Sequence, residues 1–473
     1  MIRYDTHTGK TTYSDGNSLS GDLGKKVRDG DKEALQKLKE FATNKDPEQP
    51  HSQARALYEL AEVHFNGFCE VERSPKKALE FLIQAVELND DLASIRLGEF
   101  YRDGKRGFKQ DGQKALELFL KAAESGNKKG LRLAAEMFRS GQGGFKADGY
   151  KALEFYEKLD ALDDEQAPMK IAEIYEEGCG KFKADGYKAL EIYDDIILHG
   201  KYWDKIKRDF RISSPQRSIC SIAFGKAAEI YLNGKAGVKP DGYKAIEYYT
   251  KIDAWIPLAD IYLYGKGGVA PDGYKAIEYF SKESECYTPF LKEIADIYLE
   301  GKAGVKSDGY KAIEYLNEII RRHDTEDRFF SPPDAMRMIA EIYLEGKAGV
   351  EPDGYKAIEY LNKIIRRNDN NAMFEPPEAM KMIAEIYREG KAGVAQDGHK
   401  AVEYLTKIAG RKAWLSVSFV NEAFYELGTI YEEGCDSVLP DIQKAIAYYQ
   451  KSAERGYNSA KMKLEELVGS KDS

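Results

Sequence analysis

The sequence lacks several features that would mark a membrane protein or a general nucleic-acid binder. It has no run of about 18 apolar residues, so no transmembrane helix is expected. Its N-terminus lacks the basic start and apolar core of a secretory signal. Acidic residues outnumber basic ones by 80 to 71, for a net charge of -9. General nucleic-acid binding needs a basic surface, so we expect no nucleic-acid partner. From the missing signal and the missing transmembrane run we expect a cytoplasmic protein that does not insert into a membrane.

Cysteine and histidine are too scattered to suggest a metal site or a disulfide framework. The five cysteines are odd in number, which favours free thiols in a reducing compartment: Cys69, Cys179, Cys220, Cys286 and Cys435. None of the six histidines pairs with a second ligand at metal spacing. No Asn-x-Ser/Thr glycosylation site occurs. We predict no metal and no cofactor.

What the chain does contain is an internal repeat. Residues 340–367 read AEIYLEGKAGVEPDGYKAIEYLNKIIRR, and close relatives of this stretch recur about ten times. Apolar side chains at helical spacing over residues 336–344 predict a first helix. Gly346 is placed to end it, and Asp353 is placed to cap a second helix. Each copy therefore predicts an antiparallel helical hairpin, and the copies must stack to bury a core.

Three sets of residues mark the copies. Each first helix is predicted to end at a glycine: Gly67, Gly104, Gly141, Gly178, Gly234, Gly265, Gly301, Gly346, Gly390 and Gly434. Each second helix is predicted to start after a cap: Ser74, Asp111, Asp148, Asp185, Asp241, Asp272, Asp308, Asp353, Asp397 and Asp441. An alanine follows each cap by four residues, from Ala78 to Ala445, and lets neighbouring helices approach closely.

The irregular stretches divide the predicted array. We predict a flexible arm over residues 1–30, a capping helix in 31–53, repeats 1–4 over 54–198, an insert over 199–217, repeats 5–10 over 218–456 and a closing helix in 457–473. We expect the superhelix curvature to change at the insert, which would give two arcs. The sixth copy has a shortened first helix that begins near Trp255.

The repeat resembles the Sel-one-like repeat family, a branch of the tetratricopeptide-like α-solenoids. The matching residues are the Ala-x-x-Tyr-x-x-Gly end of the first helix, the loop of Gly349, Val350 and Asp353, and the Lys356-Ala357 pair. The match covers roughly residues 54–473. It implies a right-handed α-solenoid of about ten hairpins and an adaptor or scaffold role in regulation, assembly of membrane-linked complexes, host interaction or toxin neutralisation. Cysteine-rich members carry a disulfide in each repeat, and this chain lacks those cysteine pairs.

Motifs that superficially suggest chemistry are better explained by the repeat. The Gly265-Lys266-Gly267-Gly268 loop lacks the Gly-Lys-Ser/Thr sequence after a strand that a phosphate-binding loop needs. Each Asp-Gly pair offers one carboxylate, which fits a helix cap better than calcium. No nucleophile elbow or Ser-His-Asp order stands out. We predict a protein that is not an enzyme.

An acidic residue stands five positions before nine of the ten glycines, in what we call the acidic ladder: Glu62, Glu99, Glu136, Glu173, Glu229, Asp260, Asp296, Glu341 and Glu385. These acids could form salt bridges to recurrent lysines such as Lys311 and Lys356, with little effect on stability, or could simply be solvated. They could instead form a negative groove that steers a basic partner. Both alternatives stay open.

Aromatic residues also appear outside the repeat pattern: Tyr202, Trp203, Phe210, Trp255, Phe329, Phe330, Phe374 and Trp414. Tyrosine and tryptophan dominate binding hot spots, but the same residues could fill gaps between irregular repeats. The insert also holds Lys201, Lys205, Lys207, Arg208 and Arg211, which would permit a local nucleic-acid contact.

We therefore predict a non-enzymatic scaffold or adaptor that binds a protein partner on the concave surface and the inserts. The partner would be basic if the ladder binds it. The predicted partner-binding residues are Glu173, Glu229, Asp260, Asp296, Glu341, Glu385, Tyr202, Trp203, Trp255, Phe329, Phe330, Phe374 and Trp414. One alternative is a bacterial immunity or regulatory protein that neutralises a toxin or enzyme. A second, of another class, is an enzyme-associated regulatory module with unrecognised catalytic activity.

Overall fold

The computed structural model describes residues 2–4, 11–13, 19–43, 50–105, 108–199, 215–284, 289–322, 330–366, 376–410 and 417–469. These residues form 23 α-helices and one antiparallel two-stranded hairpin. The predicted all-α solenoid of helical hairpins is confirmed. The chain divides into two compact units, Met1–Tyr248 and Tyr249–Ser473.

Unit 1 begins with strand β1 (Ile2–Tyr4), which pairs with β2 (Thr11–Tyr13). Its helices are α1 (Leu19–Arg28), α2 (Lys32–Thr43), α3 (Pro50–Asn66), α4 (Pro75–Glu87), α5 (Asp91–Asp103), α6 (Gly112–Glu124), α7 (Lys128–Ser140), α8 (Gly149–Asp160), α9 (Ala167–Glu177), α10 (Gly186–His199), α11 (Pro215–Asn233) and α12 (Gly242–Lys251), whose last residues belong to unit 2. Odd-numbered helices from α3 onward are the first helices of the repeats, and even-numbered ones are the second helices.

Unit 2 continues the same pattern. Its remaining helices are α13 (Trp255–Tyr264), α14 (Gly273–Ser284), α15 (Pro289–Glu300), α16 (Gly309–Arg321), α17 (Pro332–Glu345), α18 (Gly354–Arg366), α19 (Pro376–Glu389), α20 (Gly398–Ala409), α21 (Val417–Glu433), α22 (Ile442–Glu454) and α23 (Asn458–Gly469). Helices α3 to α22 make ten hairpins, and α23 is the predicted closing helix. The predicted short first helix near Trp255 is confirmed, because α13 has only 10 residues.

One hairpin of unit 2 shows how the sequence sets the turn. Helix α17 ends at Gly346, which adopts a left-handed conformation with φ of 65°. After a short turn, the Asp353 N–H donates to the Tyr343 carbonyl oxygen at 2.9 Å. The Asp353 carboxylate then accepts from the Lys356 N–H at 3.0 Å. The predicted glycine stop and aspartate cap are both confirmed, and together they satisfy backbone groups that helix ends leave free.

A second glycine directly follows eight of the ten caps, and in unit 2 it meets the loop of the next repeat. A Cβ atom added at Gly309 would lie 2.6 Å from the Lys347 carbonyl oxygen and 2.5 Å from the Val350 Cγ2. Gly354 has the same relation to the following loop, with Lys391 O at 2.7 Å. The glycine is therefore required by close approach between repeats, and its own turn does not demand it.

Each unit buries its own apolar side chains along the stack. In unit 2 a continuous core of alanine, isoleucine, leucine and tyrosine side chains runs from Ala259 to Val438. The alanines four residues after the caps, such as Ala312 and Ala357, are fully buried, so the predicted close helix approach is confirmed. In unit 1 separate clusters form around α1–α5 and around α7–α10. Neighbouring repeats thus provide most of the burial.

The N-terminal prediction was partly wrong. Residues 19–28, assigned to a flexible arm, form α1, whose Leu23 and Val27 are buried. The Arg28 guanidinium also forms an ion pair with the buried Glu59 carboxylate at 2.6 Å. Helix α2 was predicted, and it follows α1 after a three-residue connection. The array therefore begins with a helix pair, because α1 covers part of α3 that a single capping helix would leave exposed.

Candidate protein-binding surfaces

The acidic ladder of unit 2 lies on its first helices, and each acid there has a cation within ion-pair distance. The pairs are Asp260–Lys266 at 3.1 Å, Asp296–Lys292 at 2.6 Å, Glu341–Arg337 at 2.5 Å and Glu385–Lys381 at 4.0 Å. The acidic side chains are 18 to 38% exposed. We call these four acids and their helices the first-helix face of unit 2.

The cation that pairs with the acid occupies the same position in three of the four helices. Lys292, Arg337 and Lys381 lie one turn earlier in the same helix, whereas Lys266 lies in the loop after it. Lys381 also bonds Glu422 at 2.6 Å. Burial alone would lower the pKa of Lys381, but the hydrogen bond to Glu422 and the nearby acids outweigh it, and the pKa is raised. The acid is thus present in all four helices, and only Asp260 lacks a cation one turn earlier.

In unit 1 the two predicted acids have unequal surroundings. Glu173 is 16% exposed and contacts both Lys170 at 2.8 Å and Arg139 at 2.9 Å. Glu229 is 46% exposed and contacts only the loop residue Lys235, at 3.5 Å, among the ion pairs of the described residues. Glu229 is therefore the more accessible of the two.

The prediction that Lys311 and Lys356 pair with the ladder acids was wrong. Lys356 pairs with its own cap, Asp353, at 3.3 Å and lies over the Tyr343 ring at 5.0 Å. Lys311 lies over the Tyr298 ring at 5.0 Å. These lysines sit at the start of the second helix, where the nearest acid is the cap. Salt bridging of the ladder is observed, but through other cations.

The described aromatic candidates contribute to packing. Trp255 is partly buried and stacks on Tyr279 with ring centres 5.9 Å apart. Lys282 lies over the same indole at 4.8 Å. Phe330 packs against the core of unit 2. The other candidates, Tyr202, Trp203, Phe329, Phe374 and Trp414, lie outside the described residues, as does most of the insert.

Sequence reasoning missed a series of exposed tyrosines. They occupy the second position of successive second helices, and their side chains are 53 to 64% exposed: Tyr150, Tyr187 and Tyr243 in unit 1, and Tyr274, Tyr310 and Tyr355 in unit 2. The signal was present as Gly-Tyr-Lys after six of the ten caps. It was overlooked because a recurrent tyrosine in an amphipathic helix is usually a core residue.

Two of these tyrosines contact the loop of the following repeat. The Tyr274 hydroxyl accepts from the Lys306 N–H at 3.4 Å. The Tyr150 ring meets Phe182 edge to face, with ring centres 5.0 Å apart. One side of each ring is thereby fixed by the neighbouring repeat while the rest faces solvent. A fixed, half-exposed tyrosine can add contact area in a complex at low entropic cost.

A pocket of about 210 Å³ lies in unit 1 between α7 and α9. Its polar groups are paired with one another: Arg132 with Asp164 at 2.6 Å, and the Tyr156 hydroxyl with Glu136 at 2.8 Å. Burial and the bond to Glu136 raise the pKa of Tyr156, so its hydroxyl stays protonated. The pocket therefore holds internal pairs and does not bring together a nucleophile and a base.

Within the described residues, no group of three or more histidine, cysteine, aspartate or glutamate side chains is arranged to hold a metal ion. Likewise, none of the described helices combines the length and apolar character needed to cross a membrane.

Comparisons with known proteins agree with this architecture. A family model described as Sel1 repeat matches nine segments that together make up more than half of the chain: 54–90, 92–127, 131–159, 225–252, 258–282, 293–322, 333–369, 377–410 and 422–457. A search of curated proteins gives no match.

Solved structures similar to the chain include other repeat proteins of low identity. The protective antigen c5321 of uropathogenic Escherichia coli, described as an SLR fold, is 20% identical; the alignment covers 96% of this chain and 91% of that one, with a TM-score of 0.31. A Sel1 repeat protein from Oxalobacter formigenes is 21% identical over 57% of this chain and 99% of that one, with a TM-score of 0.38.

Proposed function

The chain belongs to the Sel1 repeat family, and we propose that it is a non-catalytic scaffold that binds a basic protein partner on the first-helix face of unit 2. Proteins with such repeats generally mediate protein–protein interaction. The observation that carries the specific proposal is the constant acid at one position of four successive first helices. Among the described residues, each of these acids forms a partly exposed ion pair.

The ion pairs on this face are suited to exchange. Exposed pairs contribute about 0–1 kcal/mol each, so a partner's lysines or arginines could replace the local cations at little cost. The acid is present also in α13, where Ile256 stands in place of the cation, so the ion pair within the helix does not by itself account for the acid. A row of carboxylates would also speed encounter with a basic surface, and this effect weakens as salt screens the charges.

The test is a charge reversal with a matched control. The full-length protein captures partners from its native organism, mass spectrometry identifies them, and the affinity of each purified partner is measured. The D260K/D296K/E341K variant should bind at least about tenfold more weakly, because like charges across an interface are strongly unfavourable. The control is E278K/E359K/E403K, three acids of second helices that are 59 to 63% exposed and each pair with a lysine four residues on.

Both variants change the net charge equally, so a general electrostatic effect would appear in both. If the first variant binds every captured partner as tightly as the control does, the first-helix face is not the binding surface. Circular dichroism of both variants establishes that neither has lost its helices.

A further inference from the structure

We propose that the loop edge of unit 1 is a second docking surface, which binds an acidic polypeptide segment of a partner protein. The loop edge consists of four lysines, each two residues before a helix cap, and two exposed tyrosines: Lys109, Lys146, Lys183, Lys239, Tyr150 and Tyr187. It shares no residue with the first-helix face and does not depend on the function proposed above.

The four lysines of the loop edge carry uncompensated charge. Many other lysines of the repeats are engaged: Lys158 pairs with Glu154 at 2.7 Å, and Lys151 lies over the Phe138 ring at 5.1 Å. The four loop lysines are exposed, and within the part of the chain that the structure describes none of them makes an ion pair, a hydrogen bond or a ring contact through its side chain. A ligand can therefore reach them without first displacing a protein partner.

The fold itself does not require lysine at this position. In unit 2 the equivalent residues, two before each cap, are Ala270, Lys306, Glu351, Ala395 and Leu439. The hairpins of unit 2 form around all five, so this position tolerates small, apolar, acidic and basic side chains. A lysine in four consecutive repeats of unit 1 therefore has no explanation in packing.

The tyrosines place an aromatic surface beside these charges. Tyr150 lies against Phe182, the residue directly before Lys183 in the next repeat. Gly186, at the start of α10, approaches the loop that holds Lys239: a Cβ there would be 2.7 Å from Val238 Cγ2. Tyr187 follows Gly186 directly. An aromatic ring thus lies beside Lys183, and Tyr187 begins the helix that approaches the Lys239 loop; aromatic rings next to cations are a combination that binding surfaces favour.

The charges at this edge favour an acidic polypeptide over a nucleic acid. Each lysine is followed two residues later by a cap aspartate, such as Asp148, Asp185 or Asp241. A polynucleotide carries a phosphate at every nucleotide and would meet these carboxylates as well as the lysines. A polypeptide can place carboxylates only opposite the lysines and set apolar side chains against the tyrosines. The net charge of -9 also disfavours a polyanion that spreads over the whole surface.

Fluorescence anisotropy of labelled probes on the full-length protein tests the proposal. The probes are a peptide of alternating glutamate and glycine, the same peptide with tyrosine at some glycine positions, the lysine–glycine counterpart, and an oligouridine of matched length. The variant is K109Q/K146Q/K183Q/K239Q. The control, K158Q/K282Q/K363Q/K407Q, removes an equal number of positive charges from second helices. There each lysine pairs with a glutamate four residues earlier.

The glutamate peptides should bind the wild type, and the loop-edge variant should weaken this binding about tenfold, since four weak charge contacts are lost together. The control should stay within about twofold of wild type. The tyrosine-containing peptide should bind more tightly than the plain one, and Y150S/Y187S should remove that difference. The proposal is overturned if the glutamate peptides do not bind, if both quadruple variants weaken binding equally, or if oligouridine binds more tightly than the glutamate peptides.

Discussion

The glycine that follows most helix caps offers the most direct test of how the repeats hold together. Gly309 begins α16, and replacing it with alanine would bring a Cβ atom to 2.6 Å from the Lys347 carbonyl oxygen and 2.5 Å from Val350 Cγ2. Both distances are shorter than van der Waals contact, and one of the atoms is backbone. The loop of the next repeat would have to move away from α16.

The size of the effect follows from two opposing terms. Overpacking of this kind destabilises by about 1–3 kcal/mol. The better helix propensity of alanine offsets at most about 1 kcal/mol. We therefore expect Gly309→Ala to lose about 1–2 kcal/mol of stability at the contact between neighbouring repeats.

Urea unfolding followed by circular dichroism measures the loss, and hydrogen exchange with mass spectrometry shows whether α16–α18 open first. The control is Gly225→Ala in α11, where an added Cβ meets nothing within 4 Å. This variant should be as stable as wild type or gain up to about 1 kcal/mol. If Gly309→Ala matched Gly225→Ala in both measurements, the glycine would not be needed for close approach.

Two further predictions concern charge. The Lys356 and Lys400 N–H groups donate to the caps Asp353 and Asp397 and lower the pKa values of these carboxyls below the usual 3.8. The contribution of the two ionised caps to the stability of the protein is therefore complete above pH 3.8 and is lost as pH falls through the lowered pKa values. D353N/D397N keeps both caps as amides and should unfold with a weaker dependence on acid pH; an unchanged acid profile would contradict this. Burial raises the pKa of Glu59 despite Arg28, so Arg28→Ala should lose about 1–2 kcal/mol at pH 7, less than for a fully buried pair because Arg28 is 41% exposed. The loss should shrink as the pH falls and Glu59 takes up a proton, and a pH-independent loss would refute the buried pair.

The sequence predicts features that lie within one repeat better than those that join repeats. Gly346 and Asp353 were identified as helix stop and helix cap because both act on their own backbone. Gly354 was not assigned its role, because the atoms that require it belong to the next loop, at Lys391 and Val394. A periodic pattern shows which positions are equivalent, but it does not show which of them touch.

The surfaces were harder to predict for the same reason. The ladder acids were recognised by their spacing, yet their partners depend on whether a cation such as Lys292 happens to lie one turn earlier. The exposure of Tyr274 depends on the position of the Lys306 loop. Helix α1 was missed because its buried stripe, Ser20, Leu23, Gly24 and Val27, holds only two large apolar residues. In addition, Arg28 is satisfied by Glu59, a residue distant in sequence.

The glycine contact also bears on how such an array can change its length. Both halves of the contact, the glycine after the cap and the loop that receives it, are carried by the repeats of unit 2 that hold Gly309 and Gly354, with the receiving loops at Val350 and Val394. Duplicating one such repeat by unequal recombination would copy both halves together and create a junction like those already present. The number of these repeats can therefore change in a lineage without a new interface having to evolve, whereas the first and last hairpins, which carry Pro75 and Ile442 in place of the glycine, lack one half of the contact.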